Sequence, residues 1–301
     1  MNIPFLYVHG SNNKFVLVDE LTKTRFLTES QRIQFSQSIC DQRSAEGTLF
    51  VSAYRTGYRM RMFNPDGSEA EMCGNGLRCV ARHVLEHAGA PTASIWVTDR
   101  WFEVQWEDSK AKVVSVRLPN IGFDPTAVGI CVSTGAAPII HQALPKFWPD
   151  GETTVVVMPN PHSIVFVPAT YTQANRSALA TQLGQWVSAN PQMFTQGCNV
   201  TVAQVAAPGV IRTQTYERGV GLTPACGTAM CATSIAYVAK HSEWLGKSLR
   251  VVPAGDAVMT CVHHTQAGYS VDLIGNATVV YEAQVIIAPS GCVISDSETH
   301  S

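Results

Sequence analysis

Two matching stretches of the chain each place a cysteine and a glycine directly before a segment with helical character. Cys73-Gly74 precedes Leu77–Leu85, and Cys226-Gly227 precedes Met230–Ala239. A thiol at a helix N-terminus lies near the positive end of the helix dipole, which lowers its pKa and favours the thiolate. The free backbone N–H groups at the same place bind anions. The pair therefore predicts two thiols that face one anionic substrate.

A thiolate and a thiol on opposite faces of a substrate carbon could invert that carbon. One sulfur removes the α-hydrogen as a base, and the other returns a hydrogen from the other side as an acid. This chemistry needs no cofactor if helix N-termini stabilise the charge that develops on the α-carboxylate. His162 and Glu217 are candidate groups for setting the protonation of the two thiols.

Each of these residues also has a purely structural interpretation. A cysteine at a helix start is more often structural than catalytic, and we expect Cys79 and Cys231, further inside their helices, to lie in the core. His162 could bond a nearby carbonyl group, and Glu217 with Arg218 could be a solvated ion pair. Four asparagines could be turn or cap residues: Asn13, Asn64, Asn160 and Asn199. The joint arrangement is what favours a function.

Composition narrows the class of protein. The chain has 301 residues, 46% of them hydrophobic and 15% charged, which is typical of a folded protein of one large or two smaller domains. A net charge of -2, with no Lys/Arg run, argues against a nucleic-acid partner. The N-terminus does not resemble a signal peptide, and no apolar stretch has the length of a membrane helix, so we expect a cytoplasmic protein without a membrane contact.

The cysteines do not form a recognisable disulfide or metal pattern. There are nine, an odd number with scattered spacing, which argues against a secreted disulfide framework. The intervals Cys73–Cys79 and Cys226–Cys231 are wider than the usual zinc knuckle. We therefore expect no metal site.

The order of predicted elements repeats along the chain: hairpin, helix, hairpin, Cys-Gly turn, helix and strands. The capping-box pattern Thr28–Gln31 predicts the first helix start. Pro119–Pro125 is the best candidate linker, and the last dozen residues, rich in Ser, Asp and Glu, predict a loose tail. Asn64 precedes Cys73 by the same number of residues as Glu217 precedes Cys226. The repeat predicts two domains of one fold, with a cleft between them.

The motifs resemble those of the diaminopimelate epimerases, a family of cofactor-independent amino-acid epimerases of lysine and peptidoglycan synthesis. The matching segments run nearly end to end: His9-Gly10 through Asn13 and Phe15, Phe63–Glu69, Cys73-Gly-Asn-Gly-Leu-Arg-Cys79, Asn160-Pro-His162, Cys198-Asn199, Glu217-Arg-Gly-Val-Gly221 and Ala225-Cys-Gly-Thr228. The resemblance implies an α+β fold of two pseudo-symmetric domains, each a mainly antiparallel sheet around a central helix, with the active site in the cleft. Its implied boundaries are residues 1–119 with 275–301, and residues 120–274.

The resemblance also implies a role for each site residue. Cys73 and Cys226 would be the two bases, tuned by His162 and Glu217. Backbone N–H groups would bind the α-carboxylate at Gly74, Asn75, Gly227 and Thr228. The rest of the substrate would be bound by Asn13, Asn64, Asn160, Asn199 and Arg218. Arg218 would take the distal carboxylate, because a guanidinium matches a carboxylate with two parallel hydrogen bonds. The family implies no cofactor, a small amino-acid substrate and a homodimer.

Some positions depart from the family pattern. The segment Cys40–Gly47 is shorter than the usual glycine-rich loop, Lys14 stands where aspartate is usual, Pro159 where glycine is usual, and Leu222 where glutamate is common. The principal prediction is interconversion of LL- and meso-diaminopimelate. The alternatives are a related cofactor-free racemase or epimerase acting on another amino acid, and a non-catalytic or thiol-redox binding protein with this fold.

Overall fold

The computed structural model describes residues 2–21, 27–131, 137–158, 160–266, 268–290 and 293–299. The fold is α+β and rich in strands, which confirms the predicted class. The chain forms two compact units, Met1–Val116 with Gly275–Ser301, and Arg117–Ile274. None of the helices in the described ranges is both long and apolar enough to span a membrane.

Four α-helices and nineteen strands make up the described elements. The helices are α1 Glu29–Arg43, α2 Gly74–Ala88, α3 Gln173–Ser188 and α4 Gly227–Lys240, and short 3-10 helices lie at Pro125–Val128 and Ser242–Trp244. The strands are β1 Asn2–Gly10, β2 Asn13–Asp19, β3 Thr48–Tyr54, β4 Gly57–Phe63, β5 Glu69–Ala70, β6 Thr92–Val97, β7 Arg100–Asp108, β8 Val113–Ile121, β9 Gln142–Leu144, β10 Trp148–Val157, β11 Pro161–Phe166, β12 Asn199–Ala207, β13 Val210–Glu217, β14 Gly221–Thr223, β15 Ser248–Val252, β16 Val258–Thr265, β17 Gly268–Asn276, β18 Thr278–Ile287 and β19 Val293–Thr299.

The sheet of the first unit is mainly antiparallel. Strand β1 pairs antiparallel with β2, β2 pairs parallel with β3, and β3 pairs antiparallel with β4. Strand β4 then pairs parallel with β6, and β6 pairs antiparallel with β7. Strand β18 returns from the end of the chain to pair antiparallel with β1.

The second unit repeats this sequence of pairings. Strand β10 is antiparallel to β11, β11 is parallel to β12, and β12 is antiparallel to β13. Strand β13 is parallel to β15, and β15 is antiparallel to β16. Helices α2 and α4 occupy the same place in the two sequences, directly after the short strands β5 and β14. The two units therefore share one topology.

The helix boundaries follow local sequence signals. At the start of α1, Thr28 Oγ1 accepts the Gln31 N–H at 3.3 Å, and Gln31 Oε1 accepts the Thr28 N–H at 2.9 Å, which confirms the predicted capping box. Helix α2 is capped at its C-terminus by Gly89, whose φ of 59° favours glycine. Helix α4 is buried from Gly227 through Val238, as expected of an apolar helix at the centre of a unit.

One local prediction is wrong. The C-terminal segment Val293–Thr299 is not a loose tail, since β19 pairs antiparallel with β18. The edge of β18 offers unpaired backbone groups that a strand of any composition can satisfy. The candidate linker Pro119–Pro125 begins within β8, which continues to Ile121, and its Gly122 exchanges backbone hydrogen bonds with Val157 at 3.3 and 2.8 Å.

Candidate active site

Cys73 occupies the N-cap position of α2. Its backbone is extended, and its Sγ accepts the Gly76 N–H at 3.4 Å. This contact strengthens when the sulfur is a thiolate, because the acceptor is then charged. A Cβ at position 76 would lie 2.9 Å from Leu49 Cδ2 and 3.5 Å from the Cys73 sulfur, so glycine allows the close packing here. The thiol is half-buried, and Gly74 behind it is buried.

The first hairpin packs on the start of α2. A Cβ at Gly10 would lie 2.7 Å from the carbonyl oxygen of Asn75, so only glycine permits this approach. The buried Arg78 donates from Nη2 to Ser11 Oγ at 2.6 Å. Asn13 begins β2 opposite Gly10. These contacts fix the hairpin that carries Asn13 to the helix that carries Asn75.

Asn64 belongs to a separate turn at the end of β4. Its backbone N–H donates to Ser68 O at 2.8 Å, and its side-chain Nδ2 donates to Ser68 Oγ at 3.0 Å. Gly67 N–H closes the turn on Asn64 O at 2.9 Å. Within the described part of the chain, the hydrogen bonds of the Asn64 side chain stay in this turn, so they do not connect it to Cys73. The hydrogen bonds therefore agree with a role for Asn64 as a turn residue, and its Oδ1 remains able to accept a hydrogen bond from a ligand.

In the second unit, Cys226 occupies the equivalent N-cap position of α4. Its Sγ lies 3.4 Å from Thr228 Oγ1, and the residue is buried, as are Gly227 and Thr228. Burial raises the pKa of the Cys226 thiol well above its ordinary value, and the neighbouring Glu217 carboxylate raises it further. The expectation of a lowered pKa is therefore wrong for Cys226, because desolvation outweighs the helix N-terminus. At neutral pH this sulfur is a thiol.

Glu217 is positioned by the short hairpin β13–β14. It ends β13 opposite Gly221, and Thr223 on β14 donates from Oγ1 to Glu217 Oε1 at 2.6 Å. This contact between Thr223 and a candidate site residue was not predicted from the sequence. The signal was the place of Thr223 three residues before Cys226, directly after a Gly-containing turn.

A connected polar group lies beside this hairpin. His162 on β11 is the register partner of Asn199 on β12, and its Nε2 lies 2.9 Å from Asn160 Oδ1. Burial lowers the pKa of His162 to about 3, and the Arg218 charge acts in the same direction. The ring is therefore neutral, and an oxygen acceptor at Nε2 places the proton there. His162 Nδ1 is then unprotonated and carries a buried lone pair, and it has no hydrogen-bond partner among the described residues.

The backbone of Arg218 is held by a hydrogen bond, and the residue is exposed. Its backbone N–H donates to Asn199 Oδ1 at 2.8 Å, and its Nη1 donates to Gln196 O at 2.5 Å. The stem passes Gly197, where a Cβ would lie 2.7 Å from Arg218 Cδ. In the ranges that the structure covers, no carboxylate forms an ion pair with Arg218. The guanidinium is thus oriented but retains donors for a ligand.

The structure connects predicted residues of the second unit, whereas in the first unit Asn64 is held in a turn of its own. In the second unit Asn160, His162, Asn199 and Arg218 form one hydrogen-bonded and electrostatic group, and Glu217 neighbours Cys226. Cys79 and Cys231 are buried in the core, as expected. Of the departures from the family pattern, Leu222 is exposed, while Pro159 lies outside the described residues.

Comparison with known proteins identifies the family. The family model for diaminopimelate epimerase matches residues 5–118 and 154–280. The diaminopimelate epimerase of Ligilactobacillus salivarius is 36% identical over 297 residues, covering 93% of this chain and 89% of that protein. The chain belongs to the diaminopimelate epimerase family. The diaminopimelate epimerase of Enterococcus faecalis is 35% identical, with coverage of 93% and 88%. Membership confirms the resemblance drawn from the motifs, and the family is one of isomerases.

Solved structures show the same fold at lower sequence identity. A phenazine biosynthesis protein of the PhzF family from Bacillus anthracis has a TM-score of 0.68 and 16% identity, covering 95% of this chain and 100% of that chain. A hydroxyproline epimerase from Agrobacterium vitis has a TM-score of 0.63 and 14% identity, covering 97% and 94%. Strand β19 and most of β18 lie beyond the part matched by the family model.

Proposed function

We propose that the protein interconverts LL- and meso-diaminopimelate without a cofactor, by removing the α-proton and returning a proton to the opposite face. One observation carries this proposal. In a member of this family, Cys73 and Cys226 hold the same N-cap position on the equivalent helices of two units with one topology. Duplicated thiols at duplicated helix starts are what a two-base reaction requires.

The surroundings of the two sulfurs support a protonated thiol at Cys226 and a thiolate at Cys73 when the reaction begins. Cys226 is buried beside Glu217 and is a thiol, ready to donate a proton. Cys73 is half-buried and accepts a backbone N–H, a contact that favours the thiolate. In one direction the Cys73 thiolate takes the α-proton while the Cys226 thiol donates one. In the reverse direction each sulfur performs the other role.

The charge of the α-carbanion would be spread onto the substrate α-carboxylate and stabilised there. The first turns of α2 and α4 offer oriented N–H groups for this carboxylate. We assign them to Gly74, Asn75, Gly227 and Thr228. We assign the distal part of the substrate to Asn13, Asn64, Asn160, Asn199 and Arg218. The exposed guanidinium of Arg218, held by Gln196 O, supports a distal carboxylate as its ligand.

The remaining polar groups would act on protonation rather than on binding. Burial keeps Cys226 in its protonated form, and the negative charge of Glu217 acts in the same direction. His162 is neutral and offers Nδ1 as a proton acceptor. We assign both residues to the control of thiol protonation, in agreement with their buried or restrained positions.

The proposal is tested by following the α-proton of each diaminopimelate isomer by NMR in D2O. Wild-type protein should exchange and invert the α-carbon, and Cys73→Ala and Cys226→Ala should each lose inversion by several orders of magnitude. Cys131→Ala is the matched control, because Cys131 is exposed and lies outside the proposed site. Absence of exchange with every isomer would remove diaminopimelate as the substrate.

The same assay separates the alternatives. Proline and 4-hydroxyproline lack a distal carboxylate, so their inversion in place of diaminopimelate would favour an epimerase of another amino acid. Full inversion by both cysteine variants would contradict the two-base reaction. A protein that binds diaminopimelate but exchanges no α-proton would be a binding protein with this fold.

We also propose that the active form is a homodimer, as the resemblance implies. Val280 and Ile286 on β18 are two aliphatic side chains that remain about half exposed, at 52% and 48%. Burial of such side chains would stabilise association. Sedimentation equilibrium at micromolar concentration tests the mass, and a single-chain mass would contradict the proposal. A cytoplasmic location stays a prediction from the sequence.

A further inference from the structure

A cavity of about 240 Å³ opens in the second unit at the C-terminal end of α4. It is lined by His141, Glu152, Phe166, Val205, Tyr237, Lys240 and His241. Helix α4 has 14 residues, so its two ends lie about 20 Å apart. None of the lining residues belongs to the proposed active site, which begins at the other end of this helix.

Rings and an aliphatic side chain form the walls of this cavity. The ring centroids of Tyr237 and His241 are 4.5 Å apart, and those of His141 and Phe166 are 6.0 Å apart. Val205 is 36% exposed, a large fraction for an aliphatic side chain in a concave place. An apolar pocket with a few convergent polar groups is the usual form of a small-ligand site.

The polar groups of the cavity include a charge pair and the imidazole of His141. Lys240 Nζ lies 2.8 Å from Glu152 Oε2, and His141 Nδ1 lies 3.6 Å from the same oxygen. His141 Nε2 is 2.8 Å from the carbonyl oxygen of Ala236, which only accepts, so Nε2 carries the proton. Burial lowers the pKa of His141, which favours the neutral ring. The Nδ1 lone pair and the carboxylate are then two acceptors that face each other.

The backbone holds His141 in place against a conformational cost. Its φ of 49° lies in the left-handed region, where a residue with a Cβ is strained. The His141 N–H donates to Thr154 Oγ1 at 3.0 Å, which fixes the strained residue to β10. Strain of this kind is concentrated where a side chain must be presented to a ligand.

We propose that this cavity is a binding site for a free α-amino acid with an apolar side chain. The ligand ammonium supplies the donor that His141 Nδ1 and Glu152 share. The ligand carboxylate binds Lys240, which is the opposite charge of the same pair. The apolar side chain packs against Phe166 and Tyr237. An adjacent acid and base at the edge of an apolar pocket match a zwitterion better than they match a simple amine or a simple acid.

The test is calorimetric titration of the full chain with L-leucine. Two probes remove one charge each: 3-methylbutylamine lacks the carboxylate, and 4-methylpentanoate lacks the ammonium. L-leucine should bind saturably with a millimolar or lower Kd, and each probe should bind about tenfold more weakly or worse. Absence of saturable L-leucine binding up to about 10 mM would overturn the site.

Substitutions of two cavity residues test whether L-leucine binds in this cavity. Glu152→Gln and Lys240→Met should each weaken L-leucine binding by about tenfold or more, because each removes one charged partner. Lys247→Met is the matched control, since Lys247 is an exposed lysine outside the cavity, and it should bind L-leucine as the wild type does. Circular dichroism checks that each variant is folded. Unchanged affinity in folded Glu152→Gln would contradict the assignment. The result is independent of the epimerase proposal, whose residues are all intact in these variants.

Discussion

Replacement of Thr223 by valine should slow the proposed reaction while leaving the fold intact. Valine has nearly the same shape but removes the hydroxyl that donates to Glu217 Oε1 at 2.6 Å. A hydrogen bond to a charged group contributes about 1.5–3 kcal/mol. If all of it supports the reactive position of Glu217, kcat/KM falls by about 10- to 150-fold. The short β13–β14 hairpin retains its backbone pairing, so we expect little change in Tm.

The assay compares three proteins by NMR exchange of the diaminopimelate α-proton. Thr223→Ser keeps the hydroxyl and should recover most of the wild-type kcat/KM. Its recovery would separate a hydrogen-bond effect from a loss of packing. Because Glu217 raises the pKa of Cys226, the pH profile of Thr223→Val should also differ from that of the wild type. Wild-type activity and an unchanged profile in Thr223→Val would refute the assignment of a positioning role.

Three further predictions follow from charges and burial. Arg218→Lys should raise the KM for diaminopimelate by about tenfold with a smaller change in kcat, because an ammonium loses the two-bonded match to a carboxylate; steady-state kinetics measures both. Iodoacetamide at pH 7 should alkylate the exposed Cys131 well before Cys226, whose pKa burial raises, and peptide mass spectrometry should show Cys226 gaining reactivity only at a pH above that at which an ordinary cysteine does. Although burial opposes it, the pKa of Asp272 is lowered by hydrogen bonds that include those from Arg117 at 2.7 and 2.9 Å. A carboxyl group whose pKa is lower in the folded state stabilises the fold at pH values above its unfolded-state pKa, and this stabilisation is lost as the pH falls. Arg117→Met should therefore reduce the free energy of unfolding by about 1 kcal/mol at pH 7 and by less near pH 3, measured by urea unfolding.

Local signals account for most of what the sequence predicted correctly. The capping box at Thr28 and the two Cys-Gly helix starts depend on neighbours within a few residues. The family motifs were also visible, because they place chemically specific residues at fixed intervals. The repeated order of predicted elements corresponds to the repeated strand pairings observed in the two units.

The features that were missed depend on tertiary surroundings. The pKa of Cys226 is set by burial around it, which a helix-start argument does not contain. The strand Val293–Thr299 forms because β18 leaves an edge to pair with, although its own composition reads as a tail. Thr223 gains its role through a hydrogen bond to Glu217 across a turn. Sequence patterns identify the chemical groups, but the packed structure decides their protonation and their partners.

The most direct test of the central claim is the early distribution of solvent deuterium during epimerisation. When LL-diaminopimelate reacts in D2O, a two-base enzyme takes the substrate proton on one sulfur and supplies deuterium from the other. At a few per cent conversion, the inverted α-carbon of the meso product should carry deuterium, and the recovered LL isomer should carry almost none. A product that retains the original α-proton would mean that a single base serves both faces, and it would contradict the roles assigned to Cys73 and Cys226.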